Sequence, residues 1–187
     1  MAINQQNLAT VRHNFANATF AHKIHEIAAE RKEARSAKYK LANVAVVALV
    51  LGIFAFQSIN NNFPVLNYIG AGVTAGEIVL LIISLTFNHE PEITSHKNTA
   101  LKYMNLRDRY RSLIADVISG NISDADAGRK RDDLLHEYQV ISDLALATTN
   151  HDYNKAMNAL QLQPDGQNTW SDNQIDSLLP KALRKKA

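Results

Sequence analysis

The feature that most constrains this sequence is a long stretch without charge. From Leu41 to Gly76 there is no Asp, Glu, Lys or Arg, whereas the residues on both sides are rich in them. Two apolar segments lie in and just after this stretch, Leu41 to Ile59 and Phe63 to Phe87. A helix rises about 1.5 Å per residue, so roughly 20 apolar residues cross a hydrocarbon core of about 30 Å. Each segment is therefore long enough to span a membrane.

The alternative is a pair of buried helices in a soluble protein. Such helices normally keep a polar stripe facing water, and the residues from Ala45 to Phe56 have none. Three Asn residues between the two segments, and Pro64 at the start of the second, favour a turn. We therefore predict an all-α membrane protein, in which a two-helix transmembrane hairpin (spans about 41–59 and 63–87) is joined to a cytosolic helical bundle.

The charged flanks predict the orientation of the two spans. Basic residues cluster before the first span and after the second, and the loop between the spans carries no charge. Because basic loops stay in the cytoplasm, both termini are expected there. The flanking residues are Arg31, Lys32, Arg35, Lys38 and Lys40 before the first span, and Lys97, Lys102, Arg107, Arg109 and Arg111 after the second.

The polar parts of the chain predict further helices. Residues 1–40 are expected to be cytosolic, with a helix from about Ala18 that runs directly into the first span. After the hairpin (41–88), residues 89–162 form the predicted bundle, and 163–187 a tail with a short amphipathic helix. Pro91 is expected to end a helix, and Ser123 and Ser171 to cap new ones.

The overall composition excludes several classes of protein. The net charge is only +2, so direct binding to nucleic acid is not expected. The sequence contains no Cys, and no Ser lies in a recognisable catalytic frame, so we expect no enzymatic activity and no cofactor. His22 and His25 lie three residues apart with Glu26 beside them, but no third ligand completes a metal site.

Glu77 is the most informative polar residue, because a carboxylate midway along a span is costly without a partner, water or a proton. Polar or small residues recur around it at intervals of three and four, which places them along one seam of the helix. The seam either lines an aqueous path between several subunits or packs against another helix, with Glu77 bonded to Asn43 or Gln57. Its members are Asn67, Gly70, Thr74, Glu77 and Ser84.

Small residues four apart indicate close helix packing in membranes. Gly72 and Gly76 have this spacing in the second span, and Ala48 and Gly52 have it in the first. The pattern supports assembly of a homo-oligomer without identifying a function.

Two basic stretches could contact an anionic ligand or lipid headgroups, because Arg offers paired donors and Tyr a stacking surface. The other reading is a solvated helix surface. The residues are Arg107, Arg109, Tyr110 and Arg111 in the first stretch, and Arg129, Lys130 and Arg131 in the second.

The order of these parts resembles the SLATT family of bacterial two-transmembrane effector domains. The resemblance covers about Phe15 to Ala159 and includes the stretches ALKYMNLRDRYRSLIADV and RDDLLHEYQVISDLA and a segment that begins His151-Asp152-Tyr153. The stretch before His151 departs from the pattern, since it reads ALATTN where a proline is expected.

This resemblance implies an antiphage defence effector in the bacterial inner membrane. Such a protein would form or open a pore when a nucleotide synthase, a sensor protein or a nucleotide signal activates it, and would cause abortive infection. The lipid bilayer and further copies of the chain would be its other partners. The alternative is a membrane-anchored scaffold or sensor that conducts nothing.

Overall fold

The computed structural model describes residues 5–59, 64–86, 90–162 and 170–185. Within these ranges the chain is helical and contains no strand. The helices are α1 (Gln5–Ile59), α2 (Pro64–Thr86), α3 (Glu90–Ser119), α4 (Asp124–Leu144), α5 (Asn150–Ala159) and α6 (Asp172–Leu178), followed by a 3₁₀ helix (Lys181–Leu183).

The chain divides into two units. Unit 1 comprises Met1–Ala29 and Thr94–Ala187, and unit 2 comprises Glu30–Ile93. Helix α1 contributes its first half to unit 1 and its apolar second half to unit 2. Residues 5–29 therefore pack with the helices that follow the apolar region.

Unit 1 is built around one apolar core. The buried side chains of α3 recur every three or four residues, which is the spacing of one helix face. They pack against α1, α4 and the C-terminal segment. The core residues include Val11, Phe15 and Ala18 from α1, Tyr103, Leu106, Tyr110, Leu113, Ile114 and Val117 from α3, Ala127, Leu134 and Ile141 from α4, and Ile175 and Leu179.

Two helix starts differ from the prediction. Helix α1 begins at Gln5 rather than near Ala18, since Val11 and Phe15 pack into the core and no Gly or Pro interrupts the segment. Pro91 does not end a helix; it is the second residue of α3. Proline is tolerated in a first turn because its missing N–H would have no intrahelical partner there.

The predicted caps of α4 and α6 are confirmed. Ser123 accepts a hydrogen bond from the backbone N–H of Asp126, and Ser171 accepts one from Gln174 in a capping box. Helix α4 ends at Leu144, which is 71 % exposed. The buried residues of α4 are Ala127, Leu134 and Ile141, and Tyr138 packs against the same core.

The C-terminal segment is fixed to the start of α1. Arg12 Nη2 donates to Asp176 Oδ1 over 2.6 Å, and Arg12 Nη1 donates to the carbonyl of Leu183 over 3.0 Å. Trp170 Nε1 donates to Asn17 Oδ1 over 2.7 Å. Burial alone would raise the pKa of Asp176, but Arg12 and the backbone N–H of Lys185 hold that pKa below its ordinary value.

In unit 2, the apolar half of α1 packs against α2. A Cβ placed on Gly70 would lie 3.5 Å from Ile53 Cγ2 and 3.9 Å from Phe54, which is van der Waals contact, so the two helices meet at Gly70. Ion pairs also join α1 to the start of α3, from Lys32 to Glu92 and from Lys40 to Glu90. These contacts hold together the region that contains Glu77.

Candidate functional site

Glu77 is a buried residue of α2, in the unit that α2 forms with the apolar half of α1. Its side chain is only 6 % exposed, and neither carboxylate oxygen has a hydrogen-bond partner among the described residues. The alternative bond to Asn43 is therefore not formed, and the side chain of Gln57 lies outside the described part. A buried carboxylate without a partner is unfavourable in its ionised form, which distinguishes Glu77 from an ordinary packing residue.

The residues around Glu77 explain how it comes to face α1. Only four residues separate α1 from α2, so the two helices run antiparallel. Gly70 lies beside Ile53. In an antiparallel pair, Glu77, seven residues after Gly70, therefore lies at the level of Val46, seven residues before Ile53. Val46 is partly buried and Val50 is buried, in keeping with this register.

Only part of the predicted seam can be located. Gly70 is buried, and the hydroxyl of Thr74 donates to the Gly70 carbonyl over 2.8 Å. Gly70, Thr74 and Glu77 therefore share the side of α2 that faces α1. The side chains of Asn67 and Ser84 lie outside the described residues.

The small residues predicted for helix packing lie elsewhere on the two helices. A Cβ added to Gly52, Gly72 or Gly76 would meet nothing within 4 Å, and Ala48 is exposed. Among the residues that the structure describes, the three glycines thus have no close side-chain neighbour. Their role in packing stays a prediction, and the partner it requires is another molecule.

Apolar side chains cover the outer surfaces of both helices. Leu41 is 70 % exposed on α1 and Val65 is 66 % exposed on α2, and many of their apolar neighbours are also exposed. Soluble monomers rarely expose an apolar patch of this extent. Among the described residues, one helix, α1, is long and apolar enough to cross a membrane, with an 18-residue window of mean hydropathy 2.0. The apolar part described in α2, Tyr68–Ile83, is shorter.

The three arginines of the first basic stretch form ion pairs. Arg107 and Arg111 both pair with Asp108, and Arg109 pairs with Glu137 of α4. Tyr110 is fully buried in the core, and burial raises its pKa above the ordinary value. In this conformation Tyr110 offers no stacking surface to a ligand.

The second basic stretch lies on α4. Arg129 pairs with Asp126, and Arg131 pairs with Asp132 and donates to Asn7. Lys130 and Arg109 line a cleft of about 250 Å³ between α3 and α4, whose lining also includes Asp116 and Asp133. The two acidic side chains thus offset the charge of the two basic ones, so the charge of the cleft does not favour an anion over other ligands.

A buried histidine pair was missed by the sequence reasoning. His25 Nδ1 lies 3.0 Å from His96 Nδ1, while His22 Nδ1 contacts the carbonyl of Ala100 instead. Desolvation by burial and the neighbouring His96 lower the pKa of His25 to about 4, although Asp152 opposes the change. No group of three metal-ligating side chains occurs in the described ranges.

The sequence pattern of the SMODS and SLOG-associating 2TM effector domain family 4 (SLATT_4) matches residues 8–172 of this chain. The chain belongs to this family. The resemblance to SLATT proteins is thus confirmed, and the match is longer than the stretch that first indicated it. Comparisons with curated proteins and with solved structures found no match. SLATT membership implies a membrane effector of a defence system, and together with the apolar part of α1 it indicates association with a membrane.

Proposed function

We propose that this chain is a homo-oligomeric effector of the bacterial inner membrane that opens a path through the bilayer when it receives a cytosolic signal. Helix α2 forms the second span, and both termini lie in the cytoplasm. The signal comes from an upstream nucleotide synthase, a sensor protein or a nucleotide. The lesion needs no enzymatic step, since loss of the membrane potential is enough to arrest growth and abort the infection.

The observation that supports this proposal most strongly is the environment of Glu77. A protein that serves only as an anchor gains nothing from a buried carboxylate without a partner, because burial of such a group costs several kcal/mol. Acids within membrane spans generally belong to pathways for ions or protons. Two helices cannot enclose a path, so the path requires several copies of the chain.

The packed arrangement of α1 and α2 represents the closed state in this proposal. With Glu77 against α1, the residue is only 6 % exposed and both carboxylate oxygens are buried, so they are unavailable to an aqueous path. Opening separates α2 from α1 or rotates it, so that the face bearing Gly70, Thr74 and Glu77 turns towards the axis of the oligomer. The signal acts on unit 1 and shifts the balance between the two arrangements.

The direct test measures the membrane potential of cells that produce the chain together with its activating partner. A voltage-sensitive dye should report depolarisation, and Glu77→Leu should relieve both the depolarisation and the toxicity while the protein stays in the membrane. Ile78→Leu, which changes an exposed neighbour of Glu77, is the matched control and should depolarise like the wild type. Depolarisation that persists unchanged in Glu77→Leu would exclude the Glu77 face as the path.

The second candidate function is a membrane-anchored scaffold or sensor that conducts nothing. The exposure of Leu144 and Val140 on α4 favours it, since apolar side chains on a polar helix often mark a docking site for another protein. Liposomes that contain the purified chain, supplied with its activating partner, distinguish the two functions. A scaffold leaves them tight to dyes and ions even when oligomeric, whereas a permeabilising effector makes them leak.

A further inference from the structure

Glu77 is the only charged side chain in a long apolar region. Between Leu41 and Phe87 the sequence contains no other Asp or Glu and no Lys, Arg or His. The residue therefore has no opposite charge in either apolar segment. An ion that passes close to the ionised carboxylate of Glu77 is therefore exposed to a negative charge that no basic side chain of these segments compensates.

The structure adds that the carboxylate is free to take a ligand once it is released. Both oxygens of Glu77 lack a hydrogen-bond partner among the described residues, so no existing bond must be broken when α2 leaves α1. On the same side of α2, Thr74 already donates its hydroxyl proton to the Gly70 carbonyl. That hydroxyl therefore presents its oxygen, an acceptor, to the path.

We infer that the path is selective for cations, and that the carboxylates of Glu77 from several copies of the chain form its selectivity ring. This inference rests on the proposed function and assigns it a substrate class, small inorganic cations such as K⁺ and Na⁺. Rings of acidic side chains select cations in channels because they attract counter-ions and repel anions. In surroundings of low dielectric constant the effect of each charge is stronger than in water.

The experiment measures the reversal potential of the purified full-length chain, together with its activating partner, in planar lipid bilayers under a gradient of KCl. The wild type should prefer K⁺ over Cl⁻ by roughly tenfold or more, as expected for a full charge at a constriction. Glu77→Gln keeps the shape of the side chain without its charge and should bring the ratio close to unity. Glu77→Asp keeps the charge and should retain the preference.

The matched control is Asp143→Asn, which removes a carboxylate from the exposed surface of α4 in unit 1. It should leave the ratio as in the wild type. A current without cation preference, or a preference that Glu77→Gln leaves unchanged, would overturn the selectivity inference while leaving the pore proposal in place. A chain that carries no current in bilayers that demonstrably contain it would instead contradict the proposed function itself.

Discussion

The ion pair between Arg12 and Asp176 should contribute measurably to the stability of unit 1. The side chain of Arg12 is 4 % exposed and that of Asp176 is 22 % exposed. In Asp176→Ala the buried guanidinium keeps its bond to the carbonyl of Leu183 and loses its counter-charge. Breaking a fully buried pair costs about 3–5 kcal/mol. Because Asp176 is partly exposed and water can enter, we expect Asp176→Ala to lower the free energy of unfolding by about 2 kcal/mol.

The assay is denaturant unfolding of the full-length chain in detergent, followed by the fluorescence of Trp170. This residue is the only tryptophan, and its hydrogen bond to Asn17 joins the C-terminal segment to α1. Asp172→Ala is the matched control, since it breaks an exposed pair with Lys185 and should cost about 0.5 kcal/mol or less. If Asp176→Ala unfolds within about 0.5 kcal/mol of the wild type, the pair behaves as a surface pair and the reasoning is wrong.

Two further predictions concern a titration and a packing contact. The lowered pKa of His25 makes the free energy of unfolding depend on pH: this contribution is complete above about pH 6.5 and is lost as the pH falls towards about 4, by roughly 3 kcal/mol in full. Denaturant unfolding at several pH values should show this loss of stability. The loss should be smaller in His25→Asn and unchanged in the exposed control His136→Asn. Gly70→Leu should lower the thermal stability of the chain by displacing Ile53, whereas Gly76→Leu should leave stability unchanged and reduce oligomer formation on native gels. Equal stability of the two Gly variants would contradict the observed packing.

Local signals in the sequence were enough to predict the helix boundaries that depend on them. Ser123 and Ser171 were recognised as caps because a cap needs only its own hydroxyl and a backbone N–H within the next three residues. The early start of α1 was not predicted, since residues 5–17 have no distinctive local signal. Their helix is stabilised by packing against α3, which lies far along the chain.

The histidine pair shows why long-range contacts escaped prediction. The sequence draws attention to His22 and His25 because they are neighbours on one helix, yet His25 pairs with His96, which is 71 residues away. Only the packing of α1 against α3 brings these two rings together. The same limit applies to Tyr110, which a basic sequence context suggested as a ligand contact and which the fold places in the core.

Glu77 could be singled out from the sequence, but the surroundings of its side chain could not be predicted. A charge within an apolar segment is unusual wherever it occurs, so composition alone singled it out. Whether its oxygens find a partner depends on the register between α1 and α2, in which Gly70 lies beside Ile53. That register brings Glu77 opposite apolar side chains.

In the proposed topology, both apolar helices cross a bilayer and the rest of the chain lies on the cytoplasmic side. The sequence contains no Cys, so single cysteines can be introduced at Ala37, Asn61 and Asn98 without removing any native thiol. A membrane-impermeant maleimide should label Asn61→Cys in intact spheroplasts and should label Ala37→Cys and Asn98→Cys only after lysis. Equal labelling of all three before lysis, or recovery of the chain in the soluble fraction, would contradict the account.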